Sequence, residues 1–371
     1  MEEKIEKKVC KSVDYINRIA QNLGEISEEA LEKLLQAIKG SRRVVLSAEG
    51  RSRSGLFLGI KGINKRLFAE TDSSWHWRNI TEAAADFETK RGKTVLLINS
   101  GSGDTNIPKE MAKDLRSYIN ETGSQKFIIC AVTSHPESEI AKQSDIVVEL
   151  KGREKEKEET NPLVSGTMRD VYELASMVLF QKIKEATNRN LSAKEILIMI
   201  KKEMEIIGDL IDDYLASKHY QELVEETASR ERAVFGGRGL DREVAEMTAI
   251  RTLHIKSVVG GIVFLAGSLA LPPKPGDIIV LISFSGETKS TLKWCDDYKA
   301  AGGIAFSIVG NKSTLSEESR SYILKAPLEE FYVRAAFLLS PLPGGVMEKF
   351  RKCGIRIPEE IIRILGHSKT E

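Results

Sequence analysis

Val95-Leu96-Leu97-Ile98-Asn99-Ser100-Gly101-Ser102-Gly103-Asp104-Thr105 decides how this chain is read. Its first half is a short apolar run, as expected of a strand buried on both faces. Its second half is a turn of serines and glycines closed by an acid and a threonine. Residues 107–119 beyond it have helical spacing, with Pro108 at a first-turn position. A buried strand, such a turn and a helix present hydroxyls and backbone N–H groups beside a helix N-terminus. That setting suits a phosphate.

The stretch occurs twice. Ile278-Ile279-Val280-Leu281-Ile282-Ser283-Phe284-Ser285-Gly286-Glu287-Thr288 repeats it, with Ser285 lying 183 residues beyond Ser102 (285 less 102). Neighbouring elements recur in the same order. Ahead of the first copy come a strand at 44–46, a turn at 49–55 and a helix over 56–68; after it come strands at 126–132 and 145–150 with a helix near 138–143. Around the second copy the order is strand 233–235, turn 236–239, helix 241–256, then helix 290–301 and strand 304–309. Strands alternating with helices imply right-handed crossovers and mostly parallel sheets. The fold class is therefore α/β: two three-layer α/β/α domains related by internal duplication. They are expected within 41–190 and 231–371, with an N-terminal helical segment over 1–40 and a helical connector over 191–230. The charge-dense run 151–159 reads as a solvated linker.

At 371 residues the chain is long enough for two cores. Its 55 Lys+Arg nearly cancel 54 Asp+Glu, so no basic field favours nucleic acid. Cys10, Cys130, Cys295 and Cys353 are isolated, without metal-ligand spacing, and are expected as reduced thiols in a cytoplasmic protein. The charged start Met1-Glu2-Glu3-Lys4 is not expected to be a secretory signal, and no stretch is apolar enough to span a membrane.

The strand–Ser-x-Ser-Gly-Glu/Asp-Thr–helix element resembles the hallmark of the sugar isomerase (SIS) domain family, and both halves carry it. The first half is similar to the 6-phospho-3-hexuloisomerases through Gly50-Arg51-Ser52, Ser100–Thr105, Ala131-Val132-Thr133, the stretch 141–145, Lys151-Gly152-Arg153, Asn161-Pro162-Leu163 and the helix around Tyr172-Glu173-Leu174. The second half resembles the second SIS domain of tandem amino-sugar phosphate isomerases through Phe235-Gly236-Gly237-Arg238-Gly239. The resemblance implies a tandem-SIS phosphosugar isomerase that uses neither cofactor nor metal, with a small sugar phosphate as partner and a homodimer as assembly.

Candidate phosphate-binding residues are Ser100, Gly101, Ser102 and Thr105, with Gly50, Arg51, Ser52 and Ser54 from the preceding turn. Whether Arg51-Ser52 or Arg53-Ser54 matches the family's Gly-Arg-Ser is open at this point, and the hydroxyls could instead cap a helix. Ser283, Ser285 and Thr288 repeat the motif, but Asp241 stands where a serine would help, and a carboxylate there repels phosphate. An aldose–ketose isomerase needs a base that moves a proton between adjacent carbons through an enediol. Glu173 is the candidate, by resemblance. The alternative is an ordinary surface glutamate paired with Arg169 or Lys182. Of the five histidines, His254 and His135 are candidates for ring opening; His76, His219 and His367 read as structural.

Two departures point the other way. Residues 192–205 lack the histidine of the hexuloisomerases, and no acid lies between His254 and Asp277, where the amino-sugar isomerases place a glutamate. A phosphosugar isomerase is the leading expectation. A non-catalytic sugar-phosphate sensor and an amino-sugar phosphate deaminase are the alternatives. A full glutamine-dependent synthase is not expected, because no glutaminase-sized segment precedes residue 40.

Overall fold

A computed structural model describes residues 8–152, 163, 166 and 170–358. Arg153, Arg169, His367, Asn161-Pro162 and most of the 151–159 linker lie outside the described residues. The described chain divides into two compact units, one of residues 19–152 and 171–203, the other of residues 8–18, 163, 166, 170 and 204–358.

The first unit is organised on a five-stranded sheet. Its strands are β1 (Ser41–Ser47), β2 (Arg66–Ala69), β3 (Lys93–Asn99), β4 (Phe127–Thr133) and β5 (Ile146–Glu149). The order is β2-β1-β3-β4-β5, and every neighbouring pair is parallel. Val95, Leu96, Leu97 and Ile98 are fully buried, because helices cover both faces of this central strand. Leu96, Ile98, Ile129 and Ala131 face a core shared with α4 (Ile80–Glu88), α5 (Asn106–Thr122) and α6 (Glu139–Gln143). On the opposite side lie α2 (Glu28–Gly40), α3 (Gly50–Ile60) and α7 (Asp170–Arg189). Gly59 lets α3 approach α7 closely: a Cβ there would stand 2.6 Å from that of Phe180. Ser27, Asn79 and Ser138 cap α2, α4 and α6, each stabilising its helix by roughly 1 kcal/mol.

The second unit repeats the plan. Strands β6 (Arg232–Gly236), β7 (Ile262–Leu265), β8 (Ile278–Ser283), β9 (Ile304–Val309) and β10 (Arg320–Ile323) run β7-β6-β8-β9-β10, again all parallel. The order is that of the first sheet, strand for strand. The unit also holds α9 (Lys218–Ser229), α10 (Leu240–Lys256), α11 (Lys289–Ala300), α12 (Thr314–Glu318), α13 (Leu328–Leu339) and α14 (Leu342–Lys352). Helices α1 (Asp14–Gly24) and α8 (Ala193–Ala216) and a 3-10 turn at Ser257–Val259 complete the described elements.

The expected helix over 56–68 differs from what forms. Helix α3 begins at Gly50, inside the stretch read as a turn, because Gly50 takes φ 54° and redirects the chain straight into a helix. It ends before Gly62 at φ 89°, and β2 follows. No helix of the described residues is long and apolar enough to cross a membrane.

Candidate sugar-phosphate site

The turn after β3 folds around its own hydroxyls. Ser100 Oγ lies 2.7 Å from Thr105 Oγ1, and Ser102 Oγ lies 3.4 Å from the same atom. The backbone N–H of Gly103 donates to Ser100 Oγ, and that of Asp104 to Ser102 Oγ. Gly103 must be glycine: its φ is 69°, and a Cβ would stand 2.0 Å from Ser138 Oγ. Thr105 occupies the N-cap of α5 yet makes no side-chain capping bond. The helix-cap explanation of these hydroxyls therefore fails at Thr105. Among the described residues, no acceptor takes the N–H groups of Gly101 or Ser102. Hydroxyls, open N–H groups and an uncapped helix start are gathered at the carboxyl end of the central strand, where open α/β sheets bind ligands.

Asn99, the last residue of β3, holds the surroundings in place. Its Nδ2 donates to the Ser52 carbonyl at 2.9 Å and to Ser176 Oγ at 3.1 Å. The Tyr172 hydroxyl lies 2.7 Å from both Asn99 Oδ1 and the Val132 carbonyl, and its one proton serves them alternately. The Tyr172 ring lies against Gly101, where a Cβ would come within 3.0 Å of Cδ1. One buried amide thus ties α3 and α7 to the serine turn. Asn99 and Tyr172 stand in the quoted motifs, but the sequence alone assigns them and Ser176 no role; the available signal was a lone polar residue ending a wholly apolar strand.

Glu173 is not a surface residue. Its Oε2 stands 2.9 Å from Arg51 Nη1, and the side chains are 2% and 5% exposed. The candidate base and a candidate phosphate cation are thus partners. Ser52 and Ser54 are buried on α3, whereas Arg53 lies over the Phe57 ring at 4.5 Å and donates from Nε to Thr71 Oγ1.

His135 is brought onto the turn. Its Nδ1 lies 2.9 Å from the Gly101 carbonyl and 3.1 Å from Ser134 Oγ. A carbonyl only accepts, so this bond assigns a proton to Nδ1, and Nε2 is the ring nitrogen left for a ligand. His254 lies thirteen residues beyond Asp241 on α10, about 20 Å along the helix, and so away from the second serine turn. His76 stacks on Trp77 at 3.9 Å, and His219 packs among aromatic rings. Among the described residues, no cluster of three His, Cys, Asp or Glu side chains could hold a metal ion.

The second turn keeps the hydroxyl skeleton in looser form. Ser283 Oγ and Thr288 Oγ1 are 3.4 Å apart, and the N–H groups of Gly286 and Glu287 donate to Ser283 and Ser285. Glu287 turns aside to accept from the N–H and hydroxyl of Thr314.

No protein-family model matches the sequence, and no curated protein matches it. Solved structures match it in fold. The C-terminal domain of glucosamine-fructose-6-phosphate aminotransferase from Francisella tularensis is similar with a TM-score of 0.59 and 17% identity, over 93% of this chain and 96% of that one. Tagatose-6-phosphate ketose/aldose isomerase from Escherichia coli gives a TM-score of 0.56 at 13% identity, over 91% and 93%. Glucosamine-6-phosphate deaminase from Thermotoga maritima gives 0.51 at 14% identity, over 92% and 94%. These likenesses establish the fold alone: two α/β domains, each on a five-stranded parallel sheet, arranged along the chain as in these proteins.

Proposed function

We propose that the first α/β unit binds a sugar phosphate and that the chain is a phosphosugar isomerase interconverting an aldose phosphate and a ketose phosphate. The carrying observation is the convergence of Ser100, Ser102 and Thr105 on one point, beside N–H groups of Gly101 and Ser102 that no acceptor among the described residues takes. Hydroxyls and N–H donors at a helix N-terminus match the oxygens and charge of a phosphate monoester. Similar folds among proteins named for tagatose 6-phosphate and glucosamine 6-phosphate support the substrate class.

In this reading Glu173 is the base. Tyr172, its neighbour on α7, touches the turn, and Arg51, its ion-pair partner, belongs to the turn-facing helix α3; these two contacts support the assignment. Glu173 takes the proton from the carbon next to the carbonyl and returns it to the neighbouring carbon through an enediol. Arg51 positions the carboxylate, and His135 Nε2 exchanges a proton with the sugar ring oxygen. A homodimer belongs to the same proposal, and its mass in solution checks it.

A second reading, binding without turnover, is favoured by the closure of Glu173 against Arg51. The two separate in one experiment. Thermal shift against fructose 6-phosphate, glucose 6-phosphate, tagatose 6-phosphate and glucosamine 6-phosphate finds the ligand; NMR of the hit then follows product. Product that disappears in Glu173→Gln supports the isomerase, and ammonia released from glucosamine 6-phosphate points to a deaminase. Binding without product supports the second reading, and no shift with any of the four defeats both.

A further inference from the structure

The two serine turns correspond in register but not in chemistry. Leu46 pairs with Leu97 in the first sheet, and Phe235 with Val280 in the second. Ser100 and Ser283 each stand three residues beyond those central-strand positions, and Gly50 and Gly239 each stand four beyond Leu46 and Phe235. Both glycines have positive φ, 54° and 59°, at the start of the helix that follows. The correspondence identifies Arg51-Ser52 as the matching pair. It puts Leu240 at the place of Arg51, Asp241 at that of Ser52 and Phe284 at that of Gly101.

These three replacements change what the turn offers. Asp241 is only 7% exposed. Its carboxyl lies beside the backbone N–H of Phe284, while its Oδ1 has no hydrogen-bond partner. The equivalent N–H in the first turn, that of Gly101, has no acceptor among the described residues, and the shorter Ser52 stands there in place of an aspartate. Phe284 adds a ring where Gly101 has none. That ring packs edge-to-face on Phe331 at 5.3 Å, and a Cβ on Gly310 would come within 2.6 Å of it. Leu240 removes the guanidinium altogether.

We propose that Asp241 is the residue that closes the second serine turn to phosphate, its carboxyl occupying the place beside the Phe284 N–H that a phosphate oxygen takes beside Gly101. An ionised carboxylate there repels the ligand, and a neutral one still fills the space. The chain then carries one phosphate site for two copies of the motif. This inference rests on the reading of the first turn as a phosphate site, and the experiment below keeps the two apart.

The test is calorimetric titration of the full chain with inorganic phosphate and with glucose 6-phosphate. The wild type is expected to bind one equivalent, lost in Ser100→Ala/Thr105→Ala. Asp241→Ser gains a second equivalent that survives the Ser100→Ala/Thr105→Ala background, and adding Phe284→Gly tightens it. Asp241→Asn, which keeps the side-chain size, gains nothing. The inference is overturned if the wild type already binds two equivalents. It is equally overturned if Asp241→Ser and Asp241→Ser/Phe284→Gly, both folded by circular dichroism, bind no more than the wild type. A wild type that binds neither probe defeats the first-turn reading; Asp241 is then judged on whether its serine variant binds one.

Discussion

Arg51 Nη1 stands 2.9 Å from Glu173 Oε2 with both side chains closed to solvent. A buried pair of this kind recovers its desolvation cost only while both partners are present. Glu173→Leu or Arg51→Met alone is therefore expected to destabilise the protein by roughly 3–5 kcal/mol, because each leaves one charge buried without its counter-ion. The Arg51→Met/Glu173→Leu double variant should lose much less than the sum. Urea denaturation of the four proteins measures this, and additive losses would show that the pair is not coupled.

Asn99 carries a second expectation. Asn99→Ala removes the donor to the Ser52 carbonyl and Ser176 and the acceptor of Tyr172, all in a dry environment. Buried groups left unsatisfied cost about 1–3 kcal/mol each, so a loss on the order of 2–4 kcal/mol is expected. Because the amide also fixes α3 and α7 around the turn, Asn99→Ala should weaken sugar-phosphate binding although Asn99 need not touch the ligand. A variant that loses stability but keeps full affinity, by denaturation and thermal shift together, would limit Asn99 to a structural role.

What the sequence made legible follows from burial. The central strands β3 and β8 are covered on both faces, so they stand out as unbroken apolar runs, and the serine turns after them are local in sequence. The edge strands β2, β7 and β10 escaped notice because each is four residues long and mostly half-buried, with no clean alternation to read. Helix α3 was misplaced because its start depends on the φ of Gly50, a backbone choice that side-chain patterns do not report. The Arg51–Glu173 pair joins residues 122 positions apart, so both were legible as candidates while their contact was not. Asp241 was legible as the residue standing where a serine would help, while its burial and its place beside the Phe284 N–H were not.

Asp241 should make stability depend on pH. Burial raises its carboxyl from 3.8 to about 8, with the Phe284 N–H opposing the shift. The Tyr332 phenol is raised as well, first by its own burial and then by the nearby Asp241 carboxyl. Between these values the unfolded chain has released the proton and the folded chain still holds it. The cost to the fold is therefore absent below about pH 4, grows as pH rises, and levels off above about pH 8. Asp241→Asn removes it. The variant is expected to match the wild type in acid and to exceed it by a few kcal/mol near pH 8, with a slope of up to about 1.4 kcal/mol per pH unit between. A gain that shrinks with rising pH would contradict a buried, protonated Asp241.

His219 predicts the opposite slope on the acid side. Its ring is enclosed by Tyr214, Phe306 and Tyr322, with Nδ1 3.2 Å from the Tyr214 hydroxyl. Burial lowers it from 6.5 to about 4. Below pH 6.5 the unfolded chain takes up a proton that the folded imidazole refuses, so stability is lost as pH falls from about 6.5 to 4 and is constant above. The ring retains some solvent contact, so the loss should be roughly 1–3 kcal/mol rather than the full linkage value. His219→Phe places an apolar ring among three aromatic neighbours and should flatten this acid limb while leaving the Asp241 limb intact. Denaturation midpoints of wild type, His219→Phe and Asp241→Asn at half-unit steps from pH 4 to 9 separate the two groups, because each variant removes one slope and keeps the other. An acid limb unchanged in His219→Phe would assign that loss to other groups.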